Sequence, residues 1–126
     1  MKKFNLIYLI DDDQTSNHLA NELLKKIDLA NEIKVFKAGI DAIMHLQQYP
    51  EKPDLILLDI HMPLMDGIEF VKTGKGLALL TADTQIIFLT NYQLHYAGLK
   101  LMEDYEVIQK PITKQKIMDS IAVINL

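Results

Sequence analysis

Five short apolar runs, separated by stretches long enough for helices, constrain this chain more than any other feature. They occupy residues 6–10, 33–36, 55–58, 86–89 and 105–108. Their length and their branched and aromatic residues predict strands. Runs one, three and four are apolar throughout instead of alternating, the pattern of parallel strands covered on both faces. Between runs one and two, Leu19, Leu23, Leu24 and Ile27 recur at helical spacing, with Thr15, Ser16 or Asn17 available as caps. The second gap carries Ile40, Ile43 and Leu46 before Pro50 and Pro53 break the pattern. In the third, Ile68, Phe70 and Val71 are parted from Leu77, Leu79 and Leu80 by Gly74 and Gly76, which predicts an irregular or broken helix. The fourth holds Leu94, Leu99, Leu101 and Met102, and the tail holds Ile117, Ile121 and Ile124 after Thr113.

Strand and helix alternating five times predict an α/β sandwich around a parallel sheet. The crossovers of such a sheet are nearly always right-handed, which leaves few topologies. No repeat, linker or low-complexity stretch divides the chain, so its 126 residues are expected to form one domain. A net charge of −4 offers no cationic face for a phosphate backbone, which argues against direct nucleic-acid binding. The absence of cysteine excludes disulfides and thiolate metal sites and agrees with a reducing cytosol. Lys2 and Lys3 before an apolar run resemble the start of a secretion signal, but Asn5 interrupts the run and three aspartates end it. No segment approaches the ~20 apolar residues of a membrane span. The expected location is the cytoplasm.

In open parallel sheets, ligands bind beyond the carboxyl ends of the strands, where the strand order reverses. Asp11, Asp12 and Asp13 follow run one, Asp59 follows run three, Thr90 and Asn91 follow run four, and Lys110 and Pro111 follow run five. Each alone has an ordinary explanation as a turn residue or helix cap, and carboxylates suit a helix N-terminus. Together they are harder to dismiss. Several carboxylates on one edge repel one another unless a cation compensates them. Oxygen ligands without cysteine or clustered histidine point to Mg²⁺. Such a site suits phosphoryl transfer to a carboxylate, with Asp59 as nucleophile and Lys110 neutralising developing charge. Thr90 would donate its hydroxyl to a phosphate oxygen.

The stretches YLIDDD, DLILLDIHMPLMDG, IIFLT and IQKP resemble, in order and spacing, the marks of response-regulator receiver domains. The block from Asp54 to Gly67 is the most specific. The resemblance implies a flavodoxin-like (βα)5 three-layer sandwich, a five-stranded parallel sheet of order 2-1-3-4-5, and a single receiver domain over residues 1–126. Asp59 matches the phosphoacceptor, Thr90 the switch hydroxyl and Lys110 the amine. Asp11 and Asp12 match the acidic pair that binds Mg²⁺ with Asp59, and His61 sits where a backbone carbonyl completes the metal shell. The bond before Pro111 is then expected to be cis. The implied activity is a two-component or phosphorelay switch that assists its own phosphorylation and dephosphorylation, not an enzyme with a separate substrate. Its implied partners are a sensor histidine kinase or phosphotransfer protein and a downstream protein target, with neither nucleic acid nor membrane.

Three positions depart from the pattern. Asn91 replaces the usual small residue after the switch hydroxyl, Val107 stands where the switch aromatic is expected, and residues 73–84 are unlike the usual third helix. An output switch would then run through other side chains. His61 and Tyr92 flank the expected water path and are candidates for setting the lifetime of the phosphate. His18, His45 and His95 read as surface or boundary residues.

Two alternatives compete. Asp11-Asp12-Asp13-Gln14-Thr15 fits DxDxT, the motif of haloacid-dehalogenase-like phosphatases, with Asp11 as nucleophile and Asp13 as acid–base. That reading leaves the block from Asp54 to Gly67 unexplained. The other is a receiver fold that binds protein and no longer takes phosphate.

Overall fold

The apolar runs become five parallel strands in the order β2-β1-β3-β4-β5, flanked by helices on both faces, in a computed structural model that describes residues 4–91 and 104–124. The elements are β1 (Phe4–Ile10), α1 (Gln14–Lys26), β2 (Ala30–Phe36), α2 (Gly39–Gln48), β3 (Leu55–Asp59), α3 (Gly67–Gly76), β4 (Gln85–Thr90), β5 (Glu106–Gln109) and α4 (Lys114–Ile124). The expected class, strand number and strand order are all present. The expected helical pattern at Leu94–Met102, Tyr92 and His95 lie outside the described residues.

Alternation along the central strands explains the layers. Leu6, Tyr8 and Ile10 of β1, with Ile56, Leu58, Ile86 and Phe88, pack beneath α2 and α3 through Ile43, Leu46, Phe70 and Val71. Ile7, Leu9, Leu55, Leu57, Ile87 and Leu89 face the other way, against Ala20 and Leu24 of α1 and Ile117 and Ile121 of α4. β1, β3 and β4 are buried on both faces, which is why they read as unbroken apolar runs. β2 is an edge strand with several exposed positions, and it begins at Ala30, ahead of its apolar run.

Two local expectations change. The cap of α1 is Asp13, whose carboxylate accepts from the backbone N–H groups of Thr15 and Ser16 at 2.9 and 3.3 Å. Thr15, Ser16 and Asn17 do not cap it. The third gap holds an unbroken helix, not an irregular one. Asp66 and Glu69 form a reciprocal capping box that starts α3, and the helix ends at Gly76. The chain then folds back so that Leu80 covers Gly74, where an added Cβ would stand 2.5 Å from the leucine Cδ1. Leu77, Leu79 and Leu80 thus belong to the return loop, and Leu80 joins the core from there.

Strand register sets the functional edge. Ile10 pairs with Leu58, so Asp11 and Asp59 leave neighbouring strands side by side. Thr90 pairs with Gln109, and Lys110 N–H donates to the Thr90 carbonyl at 2.7 Å. The chain leaves β1 toward β2 on one side and returns at β3 on the other, and this reversal opens the crevice between them.

Candidate functional site

Asp11, Asp12 and Asp59 converge at this crevice, each offering a carboxylate oxygen within 4.8 Å of the others. Asp11 and Asp59 are buried and Asp12 is exposed. The Lys110 ammonium donates directly to Asp11 Oδ2 and lies 3.7 Å from Asp59 Oδ2. Asp11 Oδ1 accepts from the Asp13 backbone N–H at 2.9 Å, and the carbonyl of Asp11 accepts from Asn17 Nδ2 at 2.6 Å. The His61 N–H faces Asp59 Oδ1 at 3.3 Å. Thr90 is buried at the end of β4. Lys110–Pro111 is a cis peptide bond, as expected. Lys116 of α4 braces that turn, donating to the carbonyls of Gln109 and Pro111 at 2.9 and 3.1 Å.

Charge is unbalanced here. Burial, reinforced by the negative charge of Asp11, pushes the Asp59 carboxyl up to about 7, although Lys110 and the His61 N–H pull the other way. One ammonium cannot neutralise three carboxylates. The donor set is all oxygen, with no thiolate or imidazole in the cluster, and it fits a hard divalent cation of the Mg²⁺ kind. Asp13 behaves differently. The N–H groups of Ser16 and Thr15 hold its carboxyl below the usual range, and it faces α1 as a cap. The acid–base role that the phosphatase alternative gives Asp13 does not match that placement.

The β3–α3 loop presses against the site. Gly67 N–H donates to the Ile60 carbonyl at 2.9 Å, and a Cβ at Gly67 would meet the Asp59 carbonyl oxygen at 2.5 Å. Met65 N–H reaches back to the Pro63 carbonyl at 2.7 Å, closing a tight turn around Leu64, which is fully exposed with φ of 68°. On the far side an apolar cavity of about 420 Å³ opens beside the acidic cluster, lined by Leu19, Ala20, Leu23, Leu89, Pro111 and Ile112.

The departures also find places. Val107 pairs with Phe88. Tyr105 lies edge-on to Phe88 with 5.2 Å between ring centres, and its hydroxyl accepts from Lys75 Nζ of α3 at 2.8 Å. Asn91 is exposed and borders the cavity. His18 is exposed, and His45 is partly buried among Tyr8, Phe36 and Tyr49, as boundary placement predicts. Two residues at the site were missed as such in the sequence: Asn17, read only as a possible cap, and Gly67, whose lack of a side chain gives no hint of what lies against it.

Known proteins agree on one family. Residues 7–122 match the family model described as response regulator receiver domain. The chain is 29% identical over 119 residues to the chemotaxis protein CheY of Halobacterium salinarum, covering 92% of each. It is 29% identical over 104 residues to the response regulator Rcp1 of a Synechocystis strain, covering 71% of each. A two-component response regulator of Cytophaga hutchinsonii superposes with a TM-score of 0.84 over 98% of each chain, at 23% identity. No helix among the described residues is long and apolar enough to cross a membrane.

Proposed function

We propose, for a chain that belongs to the response regulator receiver domain family, that Asp59 accepts a phosphoryl group from a phosphohistidine and thereby switches the protein's binding to other proteins. The observation that carries this reading is the meeting of three carboxylates with the Lys110 amine in one crevice.

In the forward step an Asp59 carboxylate oxygen attacks phosphorus. The O–P bond forms, the P–N bond to the donor imidazole breaks, and its electron pair returns to the ring nitrogen, which takes up a proton. Asp11, Asp12 and Asp59 would hold a Mg²⁺ ion, with the His61 backbone carbonyl as a further ligand. That ion would supply positive charge against the phosphoryl oxygens. Lys110 adds a fixed cation from the protein, freed from part of its pairing with Asp11 as the new charge arrives. The Thr90 hydroxyl, at the next strand end, donates to a phosphate oxygen. Hydrolysis returns the carboxylate and inorganic phosphate. On this reading the protein is a signalling switch that assists both steps, and not an enzyme with a separate substrate.

The donor would be a sensor histidine kinase or a phosphotransfer protein. The largely apolar cavity that Asp11 and Lys110 border supports a protein donor, because it offers apolar surface beside the acidic cluster. The phosphate adds nearly two negative charges at one point, enough to bias two arrangements of the surrounding loops and so alter a downstream protein's affinity. A phosphohistidine donor supports a cytoplasmic location for the protein.

The test is intact-mass spectrometry after incubation with acetyl phosphate. Wild type with Mg²⁺ should gain the mass of one phosphoryl group, and neither Asp59→Asn nor wild type in EDTA should. Labelling of Asp59→Asn at the wild-type rate would refute the assignment. Absence of labelling in wild type would favour a receiver fold that only binds protein.

A further inference from the structure

Asp12 is exposed, and no side chain among the described residues bonds its carboxylate. Only the backbone therefore aims it. The peptide joining Asp11 to Asp12 is held by one side-chain bond, from Asn17 Nδ2 to the Asp11 carbonyl at 2.6 Å. Asn17 lies in the first turns of α1, buried, and is itself tied down because its N–H donates to the Asp13 carbonyl at 3.0 Å. The Asp11 N–H donates to the Phe36 carbonyl at 3.1 Å, so the turn between β1 and α1 is gripped from both sides.

This arrangement is poor value for stability alone. Asn17 Oδ1 is buried and has no hydrogen-bond partner among the described residues. Turning the amide over would set that oxygen against the Asp11 carbonyl, so the lone acceptor cannot be rescued by a flip. An unpaired buried acceptor costs at least as much as one ordinary hydrogen bond returns. A leucine of similar size would trade the orphaned Asn17 oxygen for an Asp11 carbonyl without this donor, so stability alone does not select asparagine. What leucine could not do is fix the Asp11–Asp12 peptide.

We infer that Asn17 is a positioning residue for the divalent cation: it clamps the Asp11 carbonyl so that the Asp11 and Asp12 carboxylates are presented to one ion. It touches neither ion nor phosphate. The inference rests on the phosphoacceptor reading above, and it assigns Asn17 a role separate from capping α1, which Asp13 performs.

The experiment compares wild type with Asn17→Leu and Asn17→Ala, the alanine variant serving as the decisive one if the leucine variant does not fold. Mg²⁺ binding is measured by isothermal titration calorimetry, thermal stability in EDTA by circular dichroism, and the Mg²⁺ dependence of labelling by acetyl phosphate by mass spectrometry. Loss of a group that orients metal ligands typically weakens binding by 10- to 100-fold, so a rise of about tenfold in the Mg²⁺ dissociation constant is expected. The melting temperature of Asn17→Leu in EDTA should stay within about 3 °C of wild type. The Mg²⁺ concentration for half-maximal labelling should rise, while the rate at saturating Mg²⁺ stays close to wild type. Wild-type Mg²⁺ affinity in a folded variant overturns the inference and leaves the phosphoacceptor reading intact. No Mg²⁺ binding by wild type overturns both.

Discussion

The carbonyl oxygen of Asp59 occupies the space that a side chain at Gly67 would need, 2.5 Å from where its Cβ would stand. The next nearest atom, Ile60 Cα at 3.0 Å, is also backbone, so neither neighbour can rotate away. Residue 67 therefore sets how closely α3 can approach the end of β3, and with it the pose of the Asp59 peptide.

Gly67→Ala should accordingly destabilise the fold by about 2 kcal/mol, the cost of overpacking against backbone. It should also slow labelling of Asp59 by acetyl phosphate, since β3 must shift to make room. Urea denaturation and mass spectrometry check the two effects. Wild-type behaviour in both would show that the loop yields more easily than this packing implies.

The buried pair of Asp11 and Asp59 makes a prediction about pH. Burial and the Asp11 charge lift Asp59 to about 7, whereas in the unfolded chain an aspartate titrates near ~4. Between those values the folded protein keeps a proton that the unfolded chain has released. This contribution to stability is complete at low pH and is lost as pH rises through the folded value. In EDTA the melting temperature should thus fall from about pH 4 to about pH 7, and Asp59→Asn should flatten the fall and melt higher than wild type at the alkaline end. Parallel curves for the two proteins would mean that Asp59 ionises normally.

Lys110→Met removes the cation shared by Asp11 and Asp59. Labelling by acetyl phosphate should slow by about 100-fold, the usual loss when one charge-stabilising donor is deleted. The pH-dependent loss of stability in EDTA should move to higher pH, because Asp59 would ionise less readily. An unchanged labelling rate would remove Lys110 from the chemistry.

Leu64 holds a positive φ at the centre of the tight turn closed by Met65 and Pro63, with its side chain fully exposed. For a residue with a Cβ that strained conformation costs about 1–3 kcal/mol. Leu64→Gly should raise stability by about 1 kcal/mol without altering labelling, as read from denaturation midpoints and mass spectrometry. A loss of stability would show that the leucine makes contacts that repay its strain.

Much of this was legible in the chain. The unbroken apolar character of residues 6–10, 55–58 and 86–89 revealed the central strands because burial on both faces leaves no polar positions. Asp11, Asp12, Asp59 and Lys110 could be grouped because parallel strands end on one edge, and the geometry does bring them together. The third helix was misjudged because glycines at 74 and 76 looked like interruptions. Gly74 instead admits Leu80 from the return loop, a tertiary fact. The pair Asp66 and Glu69 carried the spacing of a capping box and would have located the start of α3. Asn17 escaped because a side-chain bond across a turn to a strand-end carbonyl leaves no periodicity to read.

Because Ile10 lies opposite Leu58, the gap between the Asp11 and Asp59 carboxylates is inherited from a count of residues, like marks on a ruler. Inserting or deleting one residue inside either strand would slide one carboxylate by about 3.3 Å and turn it to the opposite face of the sheet. No substitution elsewhere could restore the match. Changes of chain length are compatible with the chemistry only in connections such as residues 77–84, where no strand is being counted.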